Sequence, residues 1–117
     1  MRDFRTYTVW QQSHKLVLAM YKLTKDFPSD EKFGIISQLR RASTSIPTNF
    51  AEGCGKNSEK EFARYLSIAY GSTSEVDYLM LLSKDLDYIS PNDYESTKTE
   101  IVSIQKQLYV LIQKLNG

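Results

Sequence analysis

Apolar residues recur along this chain at spacings of three and four, with no strand-like alternation between them. Four helical segments follow from that pattern. The first is predicted from about Val9 to Phe27. Val9, Leu16, Met20, Leu23 and Phe27 form one stripe, and Trp10, Val17 and Tyr21 widen it. Pro28 stops it, because the residue before a proline is pushed out of the α region. The second is predicted to open at Ser29 or Asp30, a favourable N-cap, with Glu31 near the positive end of the helix dipole. It carries Ile36, Leu39, Ser43, Ile46 and Phe50 and ends at Gly53 and Gly55. Pro47 lies inside this pattern. It removes one backbone donor and crowds the carbonyl of Ser43, so a kink is expected there, or a split into two helices near Thr44.

The third segment opens with Ser58-Glu59-Lys60-Glu61, which reads as a capping box in which Ser58 caps and Glu61 reaches back. Phe62, Leu66, Ala69, Thr73, Val76 and Met80 form one stripe; Tyr65, Ile68, Ser72, Leu79, Leu82 and Leu86 form a second. Together they are wider than one core-facing side requires. After a short turn at Asp87–Ile89, Ser90 as N-cap with Pro91 at the first helical position starts the fourth segment. That segment carries Tyr94, Ile101, Ile104, Leu108, Leu111, Ile112 and Leu115. Short connections make neighbours antiparallel. The expectation is an all-α, up-down-up-down four-helix bundle, one domain over residues 1–117.

Composition adds mainly exclusions. Net charge is +1, so no global basic field marks a nucleic-acid binder. The halves differ, however: residues 1–60 carry ten Lys/Arg and six Asp/Glu, and residues 61–117 carry five and eight. Either a basic face or helix–helix complementarity accounts for that. The single cysteine, Cys54, allows no intramolecular disulfide. No apolar run approaches the roughly 20 residues that span a bilayer, so a cytoplasmic location with no membrane partner is expected. The single histidine, His14, has no glutamate three residues before it, so the Glu-x-x-His pairs of a di-metal bundle are missing. One Cys and one His far apart make neither a zinc site nor a credible thiol dyad. Gly53-Cys54-Gly55 is a turn signal, because no phosphate-loop glycine run precedes Lys56. No cofactor and no enzymatic activity are expected.

The second helix carries an unusual pattern. Gln38, Arg41, Ser45, Asn49 and Glu52, at steps of three and four, form a continuous polar stripe beside the apolar one. It is either a solvated face or a buried hydrogen-bonding network serving register and assembly. In the network, Arg41 pairs with an acid, Glu75 being the candidate, and Asn49 satisfies backbone freed near Pro47. Ala42, Ser43 and Ser45 are also placed to meet Ala69, Gly71 and Ser72 of helix three, which would let the two backbones approach closely.

The run Gln38-Leu39-Arg40-Arg41-Ala42-Ser43-Thr44-Ser45-Ile46-Pro47-Thr48-Asn49-Phe50-Ala51-Glu52-Gly53 resembles the bacterial four-helix-bundle proteins encoded within intervening sequences of 23S rRNA genes. The accessory variability proteins of diversity-generating retroelements belong to the same group. Trp10, Phe27-Pro28-x-x-Glu31 and Ile68-Ala69-x-Gly71-Ser72-x-x-Glu75 agree with it. Phe50 departs from it, standing where members usually carry Ile or Val. The resemblance implies a protomer that assembles into a homopentameric ring, and by analogy with the retroelement relatives a protein partner such as a reverse transcriptase. One expectation is an oligomeric binding protein, its basic positions Arg2, Arg5, Lys15, Lys22 and Lys25 being the candidates to contact RNA or DNA. The alternative is a protein–protein adaptor or assembly module without nucleic acid, with Tyr65, Tyr70 and Tyr78 as contact residues.

Overall fold

The computed structural model describes residues 2–117. Four helices carry the fold: α1 (Thr8–Thr24), α2 (Ile35–Cys54), α3 (Glu59–Asp85) and α4 (Pro91–Leu115). Single 3-10 turns, Phe4–Thr6 and Ser29–Glu31, precede α1 and α2, and no strand occurs among the described residues. Helix α2 packs between α1 and α3, α3 continues to α4, and α1 closes against α4. The molecule measures 43 × 23 × 20 Å, about the length of the 27-residue α3 at 1.5 Å per residue.

The stripes predicted from periodicity meet on the bundle axis. Leu39, Leu66, Val76, Met80, Ile104 and Leu108 are fully buried. Near the α2–α3 connection, Tyr7, Phe50 and Phe62 pack edge to face, with centroids 5.1 Å (Tyr7–Phe50) and 5.8 Å (Phe50–Phe62) apart. Phe50 is thus the centre of an aromatic cluster. At the opposite end Phe27 packs on Tyr88, whose hydroxyl donates to Glu31 Oε2 at 2.8 Å. That bond raises the Tyr88 pKa and ties the start of α2 to the α3–α4 turn.

Helix boundaries follow local chemistry, with some departures from expectation. Ser90 accepts from the Asp93 amide at 3.0 Å with Pro91 behind it, as predicted. Ser58 likewise accepts from the Glu61 amide at 3.1 Å. The Glu61 carboxylate, however, takes Arg64 (3.0 Å) one turn on, and that guanidinium lowers its pKa. The capping box is therefore only half made. Helix α1 ends at Thr24, not Phe27, and α2 starts at Ile35, not Ser29 or Asp30. Ser29–Glu31 closes one tight turn, and the chain then resets through Gly34 before α2 begins. Helix α2 runs unbroken through Pro47, so it does not split near Thr44. The Pro47 carbonyl accepts the Trp10 indole N–H at 3.1 Å, which pins α1 to this point.

Two glycines at the end of α2 do different work. Gly53 lies in the last turn against α3, where a Cβ would stand 2.8 Å from Tyr65 Cβ and 2.9 Å from a Phe62 ring carbon. Gly55 caps the helix with room for a side chain. Helix α3 ends in a Schellman motif: Tyr88 N–H donates to the Ser83 carbonyl (2.8 Å) and Asp87 N–H to that of Lys84 (2.9 Å). The left-handed residue is Asp87, φ 63°, where glycine is usual. In urea unfolding, Gly53→Ala should lose about 1–3 kcal/mol by overpacking the α2–α3 contact. Gly55→Ala should change stability by less than about 0.5 kcal/mol, and Asp87→Gly should gain about 0.5–1 kcal/mol. Equal effects of the two alanines would mean that α2 and α3 do not approach closely at Gly53.

Candidate functional site

The residues of the family-like motif do not all point inward. Leu39, Ala42, Ile46 and Phe50 enter the core, but the other side of α2 faces outward. That outer side is made of Ser37, Gln38, Arg41, Thr44, Ser45 and Thr48, nearly free of the Lys and Glu that usually solvate a helix. Phe33, in the turn before α2, is 90% exposed. Apolar side chains flank the helix on both sides. On the α1 side, Phe4, Trp10, Val17, Leu18, Tyr21 and Pro47 line an open groove of about 580 Å³. His14 lies in that groove, stacked on Trp10 at 5.4 Å. On the α3 side, Ile68 and Leu86 are over 40% exposed.

The polar stripe is partly assembled. Arg41 Nη2 meets Glu75 Oε2 at 2.7 Å, the pairing expected from sequence. Beside it, the Ser45 and Ser72 hydroxyls are 2.9 Å apart, and Asn49 donates to Ser45 Oγ (2.9 Å) and the Ser45 carbonyl (2.8 Å). Asn49 therefore serves Ser45, not the Ser43 carbonyl orphaned by Pro47. Gln38 and Glu52 are exposed at the two ends of the stripe. In the protomer the ion pair is open to solvent, with side chains 64% and 40% exposed. Such a pair is worth about 0–1 kcal/mol unless something covers it. Thr44 Oγ1, between the two flanks, is buried without a hydrogen-bond partner.

The small-residue contact is narrower than expected. Ala42, Ser43 and Ala69 are buried, and Ser45 meets Ser72. Gly71 faces outward with no atom within 4 Å of a Cβ built there, so it takes no part in the α2–α3 contact.

The five candidate cations are dispersed. Arg2 and Arg5 lie at the end of the bundle where α2 turns into α3. Lys22 and Lys25 lie at the other end, about 25 Å away along the 17 residues of α1, with Lys15 between them. Arg2 packs its guanidinium 4.5 Å over the Phe62 ring and donates to the Lys56 carbonyl, and Arg5 bridges Asp3 at 3.3 Å. Lys15, Lys22 and Lys25 are exposed and belong to no ion pair among the described residues. Of the candidate contact tyrosines, Tyr78 is 59% exposed, and Tyr65 and Tyr70 are half-buried.

Among the described residues, no group of three or more His, Cys, Asp or Glu side chains is placed to hold a metal ion. No described helix is long and apolar enough to cross a membrane. Cys54 is 2% exposed, and burial pushes its thiol up to about 11, against a smaller opposing effect of Arg2. At pH 8 it is overwhelmingly protonated and sterically closed. A disulfide reagent should therefore label native protein at least about a hundredfold more slowly than urea-unfolded protein. Equal rates would place the thiol at the surface.

Comparison with known proteins bears on this architecture. No curated protein matches. Among solved structures, the chain is similar to a protein of unknown function from the S23 ribosomal protein family of Bacteroides thetaiotaomicron. The two share 27% identity and a TM-score of 0.80, over 90% of this chain and 98% of that one. The sequence profile described as 23S rRNA-intervening sequence protein matches residues 5–110, which include all of α1, α2 and α3 and most of α4. The chain belongs to the 23S rRNA-intervening sequence protein family.

Proposed function

We propose that this protein is a non-catalytic binding module that works as a homo-oligomer, built by docking the outer side of α2 against a second copy. The observation that carries this reading is the outward side of α2 itself. It carries Ser37, Thr44, Ser45 and Thr48 around Arg41, whose charge is paired with Glu75, with a nearly fully exposed Phe33 at one end and apolar side chains on both flanks. Solvent alone does not favour that composition, whereas interface cores are depleted in Lys and Glu and enriched in aromatic residues and Arg. The α1–α2 and α2–α3 faces meet at α2. Contacts through two different faces are heterologous, and they form a ring where the rotation between copies closes. A homopentameric ring is the form that the family resemblance favours.

Within such an assembly the Arg41–Glu75 pair and the Ser45–Ser72–Asn49 bonds become covered. A surface ion pair then becomes a buried one, and removing one partner becomes costly. The oligomer repeats every surface cation, which gives salt-sensitive affinity for RNA or DNA phosphates. Lys15, Lys22 and Lys25, exposed and outside every ion pair among the described residues, add to the general positive field. An adaptor role for a protein partner uses the same assembly, with Tyr78 as the most exposed of the contact tyrosines.

Light scattering behind size exclusion should give a mass near five protomers. Phe33→Glu with Thr44→Arg should bring it to about 13.5 kDa, with the helical spectrum retained. A wild-type monomer would sink the reading. Arg41→Ala should cost about 3–5 kcal/mol in the assembled protein. In the Phe33→Glu/Thr44→Arg background it should cost less than about 1 kcal/mol. Equal costs in the two backgrounds would show that the pair lies outside the interface.

A further inference from the structure

The fold rearranges the charge of the sequence. By position along the chain the division is a basic first half and an acidic second half. In space it is a division between the two ends of the bundle. The end that gathers residues 2–8, the α2–α3 connection from 52 to 64 and the last turns of α4 from residue 106 carries seven Lys/Arg against four Asp/Glu. The opposite end, residues 22–36 and 80–96, carries four against seven. A cationic ligand site built on Lys22 and Lys25 would therefore work against the acids Asp26, Asp30, Asp85 and Asp87 around the same end.

The basic end has the parts of a strand-binding surface. Arg2, Lys56 and Lys60 enter no carboxylate pair among the described residues. Rings hold several cations in place. Arg2 lies 4.5 Å over Phe62, Lys56 5.1 Å over Tyr65, and Arg64 4.6 Å over the same Tyr65. Arg2 and Lys56 line an open cleft of about 790 Å³ with Asp3, Thr6, Tyr7 and the Cys54–Asn57 turn. The Asp3 carboxylate is itself paired with Arg5 at 3.3 Å, and the volume lies in the range of sites for a small ligand group, about 300–1,000 Å³.

We propose that this end, centred on Arg2, Lys56, Lys60 and Tyr65, is where the protein takes the phosphodiester backbone of a single-stranded nucleic acid. The inference rests on the nucleic-acid part of the function proposed above and moves its site. Positive charge along a groove, interleaved with aromatic faces, is the arrangement that binds single strands without reading sequence. In a ring the five copies of this end lie on one rim, so a strand meets several in turn.

The test is fluorescence anisotropy with a short labelled single-stranded RNA at low salt, repeated with DNA of the same sequence and with a duplex. Lys56→Glu/Lys60→Glu should weaken binding at least about tenfold and flatten the salt dependence by about 1.4 in slope, two contacts' worth. Glu59→Lys should tighten it, a gain that misfolding does not produce. Lys15→Gln/Lys22→Gln/Lys25→Gln, which removes these charges without reversing them, should weaken binding clearly less than the Lys56/Lys60 variant does. If the α1 variant loses binding and the Lys56/Lys60 variant keeps it, the site is wrong while nucleic-acid binding stands. No binding by the wild type to any of the three probes overturns both. Equal affinity for RNA and DNA supports backbone recognition, and duplex preferred to both overturns the single-strand assignment.

Discussion

The close approach of α2 to α3 is the constraint on which the rest of this structure depends. It is built from absences: no side chain at Gly53, one methyl each at Ala42 and Ala69, and hydroxyls at Ser45 and Ser72 that bond each other. Because α2 sits this deep, its inner side supplies Leu39, Ile46 and Phe50 to the core. Its remaining polar residues are then left on the surface or in the seam. Pro47 fits the same logic. Its lost donor is tolerated within a continuous helix, and its carbonyl also accepts the Trp10 indole that fixes α1.

From this packing follows the division of α2 into two working sides. The inner side holds one bundle together. The outer side has the composition of a second contact, and the Arg41–Glu75 pair lies where the two meet. Charge adds an independent direction. The long axis is polarised in charge, so the outer side of α2 and the basic end are separate surfaces. The proposed assembly uses the first and the proposed phosphate contact the second.

Much of the fold was legible in the sequence because it rests on periodicity and caps. The stripes of α3 and α4, the Ser58 and Ser90 caps, and the Arg41–Glu75 pairing each follow from spacing on one or two helices. The start of α2 was not legible. Ser29 and Asp30 have cap chemistry, but that segment closes a single 3-10 turn, and the helix waits for Gly34. Gly71 was misplaced because a glycine reads as a small packing residue whether it faces a neighbour or open solvent. The candidate cations read from sequence, Arg2, Arg5, Lys15, Lys22 and Lys25, are spread over both ends of the bundle. Lys56 was not among them, because it lies more than fifty positions from Arg2 and only tertiary structure brings its carbonyl within 3.3 Å of that guanidinium. The family match fixes what kind of protein this is. Its surface work has to come from geometry.

The measurement closest to the central claim, that α2 is covered on its outer side in the assembled protein, is hydroxyl-radical footprinting of the unmodified chain. Phe33 is 90% exposed in the protomer, and Tyr109 on α4 is 57% exposed. Corrected for intrinsic reactivity, Phe33 should be strongly protected at working concentration and become reactive on dilution, while Tyr109 reacts alike in both. Phe33 oxidised at its full protomer rate at every concentration would contradict the account.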